Sequence, residues 1–418
     1  MKLVKTTFFS AVITFVRISS GFVVTKAIAT FTGPGGVALI GAFTNFISII
    51  LTFANGAVNT GVIKYTAEYN NDEDKLKSLF STAFKITLYC SLIIGGLLIL
   101  FAPFLSLFIL TNVAFANVIR IFGCSILFYA LNSLLISILN GKGEIKLFTI
   151  INTVGSLFSL FFTIGLVYFF RIQGALYALV LAQSLIFFVT SILIIKSKSF
   201  NLNHFKQSFN KTIAIKLSHY SIMAIVSALT VPVSQIILRN LIILKLGVNS
   251  AGYWQGIMRI SDGYLMLITT ALSTYYLPKL SSLKTNTEIR NEIFKGYKII
   301  LPSVFIGCVI IYFLRYIIIE ILFTPDFSNM EDLFLWQFIG DFFKMAAWVL
   351  AYLMLAKALT KLFIITEIVF SISYIIIGYF CLRYYGLQGI SIAFGVNYFI
   401  YLITMLIIFR KLIFNQNG

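Results

Sequence analysis

Charge is scarce in this 418-residue chain: only 11% of its residues are Asp, Glu, Lys or Arg, with 14 acids against 32 bases. A soluble domain carries about a quarter charged residues, so a polar exterior all round is excluded. Cysteine is also rare. Cys90, Cys124, Cys308 and Cys381 stand singly in apolar segments with no CxxC spacing, which argues against a metal site or a disulfide framework. The only two histidines, His204 and His219, have no metal-ligand spacing. A GxxxxGKS/T loop and a GxSxG elbow are absent too, so no catalytic group, metal or cofactor is expected and the chain does not read as an enzyme. The net charge of +18 would suit nucleic acid, but the bases are scattered between apolar runs and form no RNA- or DNA-binding motif.

What the chain has in excess is apolar length. Hydrophobic residues make up 59% of it, and the mean hydropathy is +0.97. Unpaired backbone groups are too costly in hydrocarbon for anything but helices or closed barrels, and apolar runs of about 20 residues are helix-length. The fold class is therefore all-α, a polytopic membrane protein. About twelve spans are expected, near 7–31, 37–63, 79–101, 115–139, 147–169, 174–195, 214–244, 251–277, 297–322, 332–355, 362–382 and 388–409. Lys2 and Lys5 precede the first, which runs too long for a signal peptide and is read as a retained span.

The bases set the orientation. With both termini cytoplasmic, most of the 32 lysines and arginines fall beside cytoplasmic segments, among them Lys64, Lys75, Lys142, Lys196, Lys198, Lys216 and Lys279. Outer loops hold only Arg171, Lys245 and Arg383. Eight bases remain inside spans: Arg17, Lys26, Lys85, Arg120, Arg239, Arg259, Arg315 and Lys344.

An internal repeat divides the chain. A shift of 215 residues sets KGEIKLF (142–148) on KALTKLF (357–363) and IQGA (172–175) on LQGI (387–390). This predicts two six-helix halves, 1–205 and 206–418, joined by the basic stretch from Lys196 to Lys211. Six spans per half is an even number, so the repeat is parallel, an arrangement that places substrate between halves which rock against one another.

A charge at mid-membrane costs about 2.5–3.5 kcal/mol even on forgiving insertion scales, and so needs a wet cavity or a partner. Lys85 sits near the cytoplasmic edge and Arg120 and Arg315 near outer ends, where snorkelling suffices. Arg17 lies near the middle of the first span, with Lys26, Arg239 and Arg259 in the outer half of spans one, seven and eight. Four cations with too few acids nearby imply an anionic ligand, and a diphosphate suits arginine and lysine. Along the eighth span Arg259, Asp262, Met266, Thr269 and Ser273 form one polar stripe. Asn55 and Asn59, one turn apart on the second span, are expected to project together, either into a cavity or into interhelical hydrogen bonds. Arg259 with Asp262, and Asp341 with Lys344, have the spacing of salt bridges. Asp262, Asp341, Lys344 and Glu367 complete the set of polar or coupling residues, and Pro232 bends the seventh span.

GPGGVALIGAFTNF (33–46), GVIKYTAEY (61–69), GYWQGIMRISDGYLMLITTALSTYYLPKLSSL (252–283) and DLFLWQFIGDFFKMAAWVLAYLMLAKA (332–358) together resemble the Wzx-type flippases. These belong to the multidrug/oligosaccharidyl-lipid/polysaccharide exporter superfamily, and the chain looks most like the branch handling lipid III of enterobacterial common antigen and related O-antigen units. The resemblance implies a V-shaped pair of six-helix halves in the bacterial inner membrane that carries undecaprenyl-diphosphate-linked oligosaccharide between leaflets. It further implies that cavity cations engage the diphosphate, matched here by Arg17, Lys26 and Arg259 with Arg239 in addition, and that a polysaccharide polymerase and chain-length regulator act in the same pathway. A peptidoglycan-precursor flippase remains the nearest alternative. Drug antiporters of the superfamily favour acidic cavities, against the cation excess here, and a membrane polymerase would need a larger outer loop than this chain has.

Overall fold

The computed structural model describes residues 2–70, 72–197, 202–357 and 359–414. Lys198 lies outside them, as do the side chains of Lys2, Lys5 and His219. Among the described residues every regular element is helical.

The chain divides into two compact units, Met1–Phe31 with Leu39–Pro232, and Thr32–Ala38 with Val233–Gly418. The first contains most of α1 (Lys2–Ala54), then α2 (Asn59–Glu68), α3 (Glu73–Leu100), α4 (Ala102–Leu110), α5 (Ala116–Lys142), α6 (Ile145–Lys196) and the start of α7 (Lys211–Leu246). The second continues from α7 through α8 (Val248–Ala271), a π-helical turn at Leu272–Tyr276, α9 (Leu277–Ser282), α10 (Asn286–Phe313), α11 (Arg315–Leu322), α12 (Phe334–Ala356), α13 (Thr360–Tyr385), α14 (Gln388–Ile408) and α15 (Arg410–Phe414).

Among the described residues nine helical segments are long and apolar enough to cross a membrane, against about twelve expected spans. Two of the nine, Ile13–Ala54 and Ile145–Lys196, run to 42 and 52 residues, about twice what a bilayer needs. The second holds two expected spans joined through the non-helical backbone of Arg171, and the first holds most of span 7–31 and the part of span 37–63 as far as Ala54, joined through Gly33. The stretch carrying Arg259 and Asp262 is not among the nine, since these charges together with its Asn, Gln, Ser and Gly residues leave its 24 residues less apolar than the others.

Packing follows from which helices are apolar on more than one face. In the first unit α5 is buried along its length, from Ala116 and Ile119 to Leu134 and Ile138, and packs against α2, α3 and α6. In the second unit α12 takes that role between α10 and α14, with 61% of its most apolar window buried. Apolar contact between helices in lipid gains little from hydrophobicity, so shape decides which faces meet.

The repeat reappears in backbone geometry. Arg171 has φ 52°, ψ −128°, and Gly386, 215 residues on, has φ 58°, ψ −142°. Three residues later in each hairpin, a Cβ on Gly174 would strike the Leu166 carbonyl, and one on Gly389 the Cys381 carbonyl. Glu144 (φ −76°, ψ 59°) and Leu359 (φ −77°, ψ 59°) open the preceding helices with the same dihedrals. Both units thus turn the chain by one device.

Arginine occupies at 171 a left-handed backbone conformation that its counterpart gives to glycine, and such strain costs about 1–3 kcal/mol. Its guanidinium lies 5.1 Å from the Phe31 ring centroid, a contact worth about 0.5–1 kcal/mol at exposed sites. Arg171→Gly is therefore expected to raise stability by about 1 kcal/mol, seen as a higher midpoint in thermal unfolding of the purified protein in detergent.

Candidate functional site

The four cations singled out by sequence meet different surroundings. On α1, Arg17 is exposed and Lys26 half-buried. Arg259 on α8 is half-buried and Asp262 exposed. Their spacing allows a salt bridge, yet no described ion pair joins them within 4.0 Å. Arg239 on α7 is enclosed within the second unit at 1% exposure, and its Nη1 donates to Asn240 Oδ1 at 3.2 Å.

The expected stripe on α8 is present as a surface. Arg259, Asp262, Met266, Thr269 and Ser273 are all half-buried or exposed. Trp254, Ile257, Ile260, Ser261 and Leu265 pack inward. At 100° per residue, Ser261 and Tyr264 project roughly 150° away from the centre of that stripe.

Those two residues meet an acid. Ser261 Oγ and Tyr264 Oη each donate to Asp341 Oδ2 at 2.7 Å. Asp341 is fully buried on α12, and Tyr264 Oη also lies 3.3 Å from Cys308 Sγ on α10. The carboxyl group ties α8 to α12, and α10 joins them through the Tyr264 hydroxyl. Its Oδ1 has no hydrogen-bond partner among the described residues, nor do the side-chain oxygen and nitrogen of Gln337, one turn earlier on α12. The knot displaces the expected Asp341–Lys344 salt bridge, which does not form: no described ion pair contains either residue. Lys344 instead sits among aromatic faces, its Nζ 5.0 Å from the Trp348 ring and 5.8 Å from those of Phe394 and Tyr398. Two hydroxyls from a facing helix reach a carboxyl group in good geometry, which an i,i+3 neighbour on the same helix does not match. Glu367 is half-buried on α13.

Asn55 and Asn59 do not share a helical face. Gly56 (φ 62°) and Ala57 (φ 54°) both adopt left-handed backbone, so α1 stops at Ala54 and α2 starts at Asn59. Asn55 is 3% exposed, with its Oδ1 unpartnered among the described residues. Asn59 Nδ2 donates to Ser133 Oγ at 2.8 Å, an interhelical bond to α5.

Two further features had no signature in the sequence. The stretch between α6 and α7 is fastened to α3: Ser81 Oγ donates to the His204 carbonyl (3.0 Å) and accepts from the Gln207 N–H (2.9 Å). His204 Nε2 meets Glu73 Oε2 at 2.9 Å, and Lys85 Nζ donates to the Gln207 carbonyl at 2.9 Å, which accounts for that charge. Close by in the sequence, Lys64 Nζ donates to Tyr220 Oη at 2.7 Å and lies 4.9 Å from the Tyr65 ring. Lys216 donates to Tyr69 Oη at 3.0 Å, 5.9 Å from that same ring. The Tyr220 phenol holds the Lys64 ammonium in its charged form, raising its pKa.

Residues 35–332 match the polysaccharide biosynthesis protein family. The chain is 30% identical over 406 residues to the lipid III flippases of Escherichia coli (strain K12) and Shigella flexneri, covering 96% of each chain in both comparisons. Among solved structures it resembles an inward-facing multidrug resistance MATE family transporter of the MOP superfamily, with TM-score 0.77 at 17% identity, covering 95% of this chain and 97% of that one. A MOP superfamily transporter from Pyrococcus furiosus gives TM-score 0.72 at 14% identity, covering 95% of both chains.

Removing one donor from a buried carboxyl group costs about 1–3 kcal/mol. Ser261→Ala and Tyr264→Phe should each destabilise by that order. Because they share one acceptor, the double variant should lose more than the two single losses together, a coupling of about 1 kcal/mol or more. A four-protein thermal unfolding cycle in detergent measures it, and simple additivity would mean that the knot does not act as a unit.

Proposed function

The chain belongs to the polysaccharide biosynthesis protein family, and from that premise we propose that it is a flippase for polyprenyl-diphosphate-linked oligosaccharide of the lipid III or O-antigen class. It works from the cytoplasmic to the periplasmic leaflet of the bacterial inner membrane, with both termini cytoplasmic. The observation that carries this reading is the similarity to two lipid III flippases along 96% of both chains. The run of bases beside the segments assigned to the cytoplasm supports the orientation.

The physical task is to take a diphosphate and several sugars past a hydrocarbon layer about 30 Å thick that solvates neither. The polyprenyl tail stays in lipid throughout. Only the head needs a path, and that path needs cations. Arg17, Lys26 and Arg259 supply them from faces that packing leaves at least partly open. Arginine's planar fork pairs with phosphate oxygens two at a time, which a single ammonium does not. Arg239, enclosed in the second unit, belongs to the same cation set but acts from within the packing. Asp262, on the open face of α8 beside Arg259, exchanges with the phosphate for that guanidinium and returns to it on release. Asn59, Lys344 and Glu367, each half-buried, line or couple, Asn55 supports them from within the packing, and Asp341 holds α8 in register. Transport of this kind makes and breaks no covalent bond, and the delivered unit is consumed by a polymerase that, with a chain-length regulator, is a partner of the flippase.

In a strain lacking its own flippase of this class, the wild-type gene should restore surface polysaccharide. Arg17→Ala and Arg259→Ala should each lower it at least about tenfold at unchanged protein level, the loss expected from one charge-assisted phosphate contact. Arg17→Lys should keep part of the output. Full activity in both alanine variants would refute the cation assignment, and failure of the wild type to complement would refute the substrate class.

A further inference from the structure

Two cavities of opposite character share a wall in the second unit. One, of about 360 Å³, lies between α10 and α12 and is lined by Phe305, Val309, Tyr312, Leu335, Phe338 and Phe342 among other apolar side chains. The other, of about 250 Å³, is lined by Arg315, Tyr316, Glu331, Asp332 and Gln388, and again by Tyr312 and Leu335. The apolar cavity thus opens beside a charged one. From Leu335 to Phe342 the wall on α12 runs seven residues, about 10 Å, so the greasy part extends along the helices away from the charged end.

Of the charges at that end Arg315 is held in place, and no described ion pair satisfies it. Arg315 Nη1 donates to the Tyr312 carbonyl at 2.9 Å and Nη2 to Tyr316 Oη at 2.7 Å. Its guanidinium lies 4.4 and 4.3 Å from the two tyrosine ring centroids. No described ion pair joins it to Glu331 or Asp332 within 4.0 Å, although all three line the same cavity. One cation and two anions around a small space, next to an apolar slot, call for a ligand carrying a phosphate, an ammonium and a hydrocarbon chain. A diphosphate head would bring more negative charge against the two acids and is disfavoured, which separates this site from the transported cargo.

We propose that these cavities bind one zwitterionic aminophospholipid. Its phosphate rests on Arg315, its ammonium faces Glu331 and Asp332, and the upper part of one acyl chain fills the slot between α10 and α12. The site is independent of the flippase reading and stands whatever the cargo is.

The test uses the purified full-length protein in detergent, with native mass spectrometry to measure retention of phosphatidylethanolamine and phosphatidylglycerol of matched acyl chains. Wild type should retain phosphatidylethanolamine preferentially. Arg315→Gln should reduce that retention about tenfold, as expected for one charge-assisted contact, while Arg315→Lys keeps part of it. The double variant Glu331→Gln, Asp332→Asn should reverse the preference toward phosphatidylglycerol, a change of selectivity that damaged folding does not produce. Equal retention of both lipids by the wild type, or an unchanged ratio in the double variant, would each overturn the proposal.

Discussion

Hydrocarbon does not solvate charge, and most of what is distinctive in this chain follows from how each ionic group inside the apolar helices is accommodated. The solutions differ from group to group. Lys85 donates a hydrogen bond to the Gln207 carbonyl, Lys344 rests among aromatic rings, and Asp341 accepts two hydroxyls on one oxygen. Arg120 donates to Asn117 Oδ1 at 2.8 Å on its own helix. After these assignments Arg17, Arg259 and Asp262 are left on open faces without an ion pair among the described residues. In a membrane such groups persist only against water or a charged ligand. This is why the cation reading rests on them rather than on the total of bases.

The two units share a backbone plan but not a polar load. The hairpin at Arg171 and Gly174 has its counterpart at Gly386 and Gly389, down to the carbonyl that each glycine accommodates. Chemistry does not follow the same symmetry. A shift of 214 residues, the one that sets the positive-φ Gly33 on Gly247, carries Ser261 and Tyr264 onto Ile47 and Ile50, both apolar. The carboxyl knot is therefore a property of the second unit alone. Duplicated geometry preserves turns because steric exclusion leaves few solutions there, whereas a buried polar group survives only where its partners survive with it.

How much of this was legible in the sequence depended on the range of the interaction. Apolar run length and the alignment of KGEIKLF with KALTKLF are local signals, and they led to helices and to the repeat. The stripe was legible for the same reason, since α8 carries Arg259, Asp262, Met266 and Thr269 and the helical turn that continues it carries Ser273. The break at Gly56 and Ala57 was not, because alanine does not advertise a left-handed conformation, and so the pairing of Asn55 with Asn59 failed. Asp341 was misread for a different reason. Spacing on its own helix suggested Lys344, but its partners lie 77 and 80 residues away on α8, and no pattern within α12 encodes them. The lysine–tyrosine cluster around Tyr65 and the fastening of residues 204–210 to α3 are likewise contacts across more than 100 residues.

The knot and the stripe are two sides of one helix, and that gives Asp341 its place in the function. An α-helix among apolar neighbours in lipid has little to fix its rotation, because one greasy face packs much like another. Two hydrogen bonds from Ser261 and Tyr264 to one carboxyl group on α12 remove that freedom. With those residues directed into the unit, helical periodicity directs Arg259 and Asp262 out of it, roughly 150° around the axis. A rotation of α8 by a single residue, about 100°, would bury the guanidinium against apolar side chains, at a cost of several kcal/mol. The acid buried deepest in the second unit thus determines where its most useful cation points, although it touches neither that cation nor the ligand assigned to it.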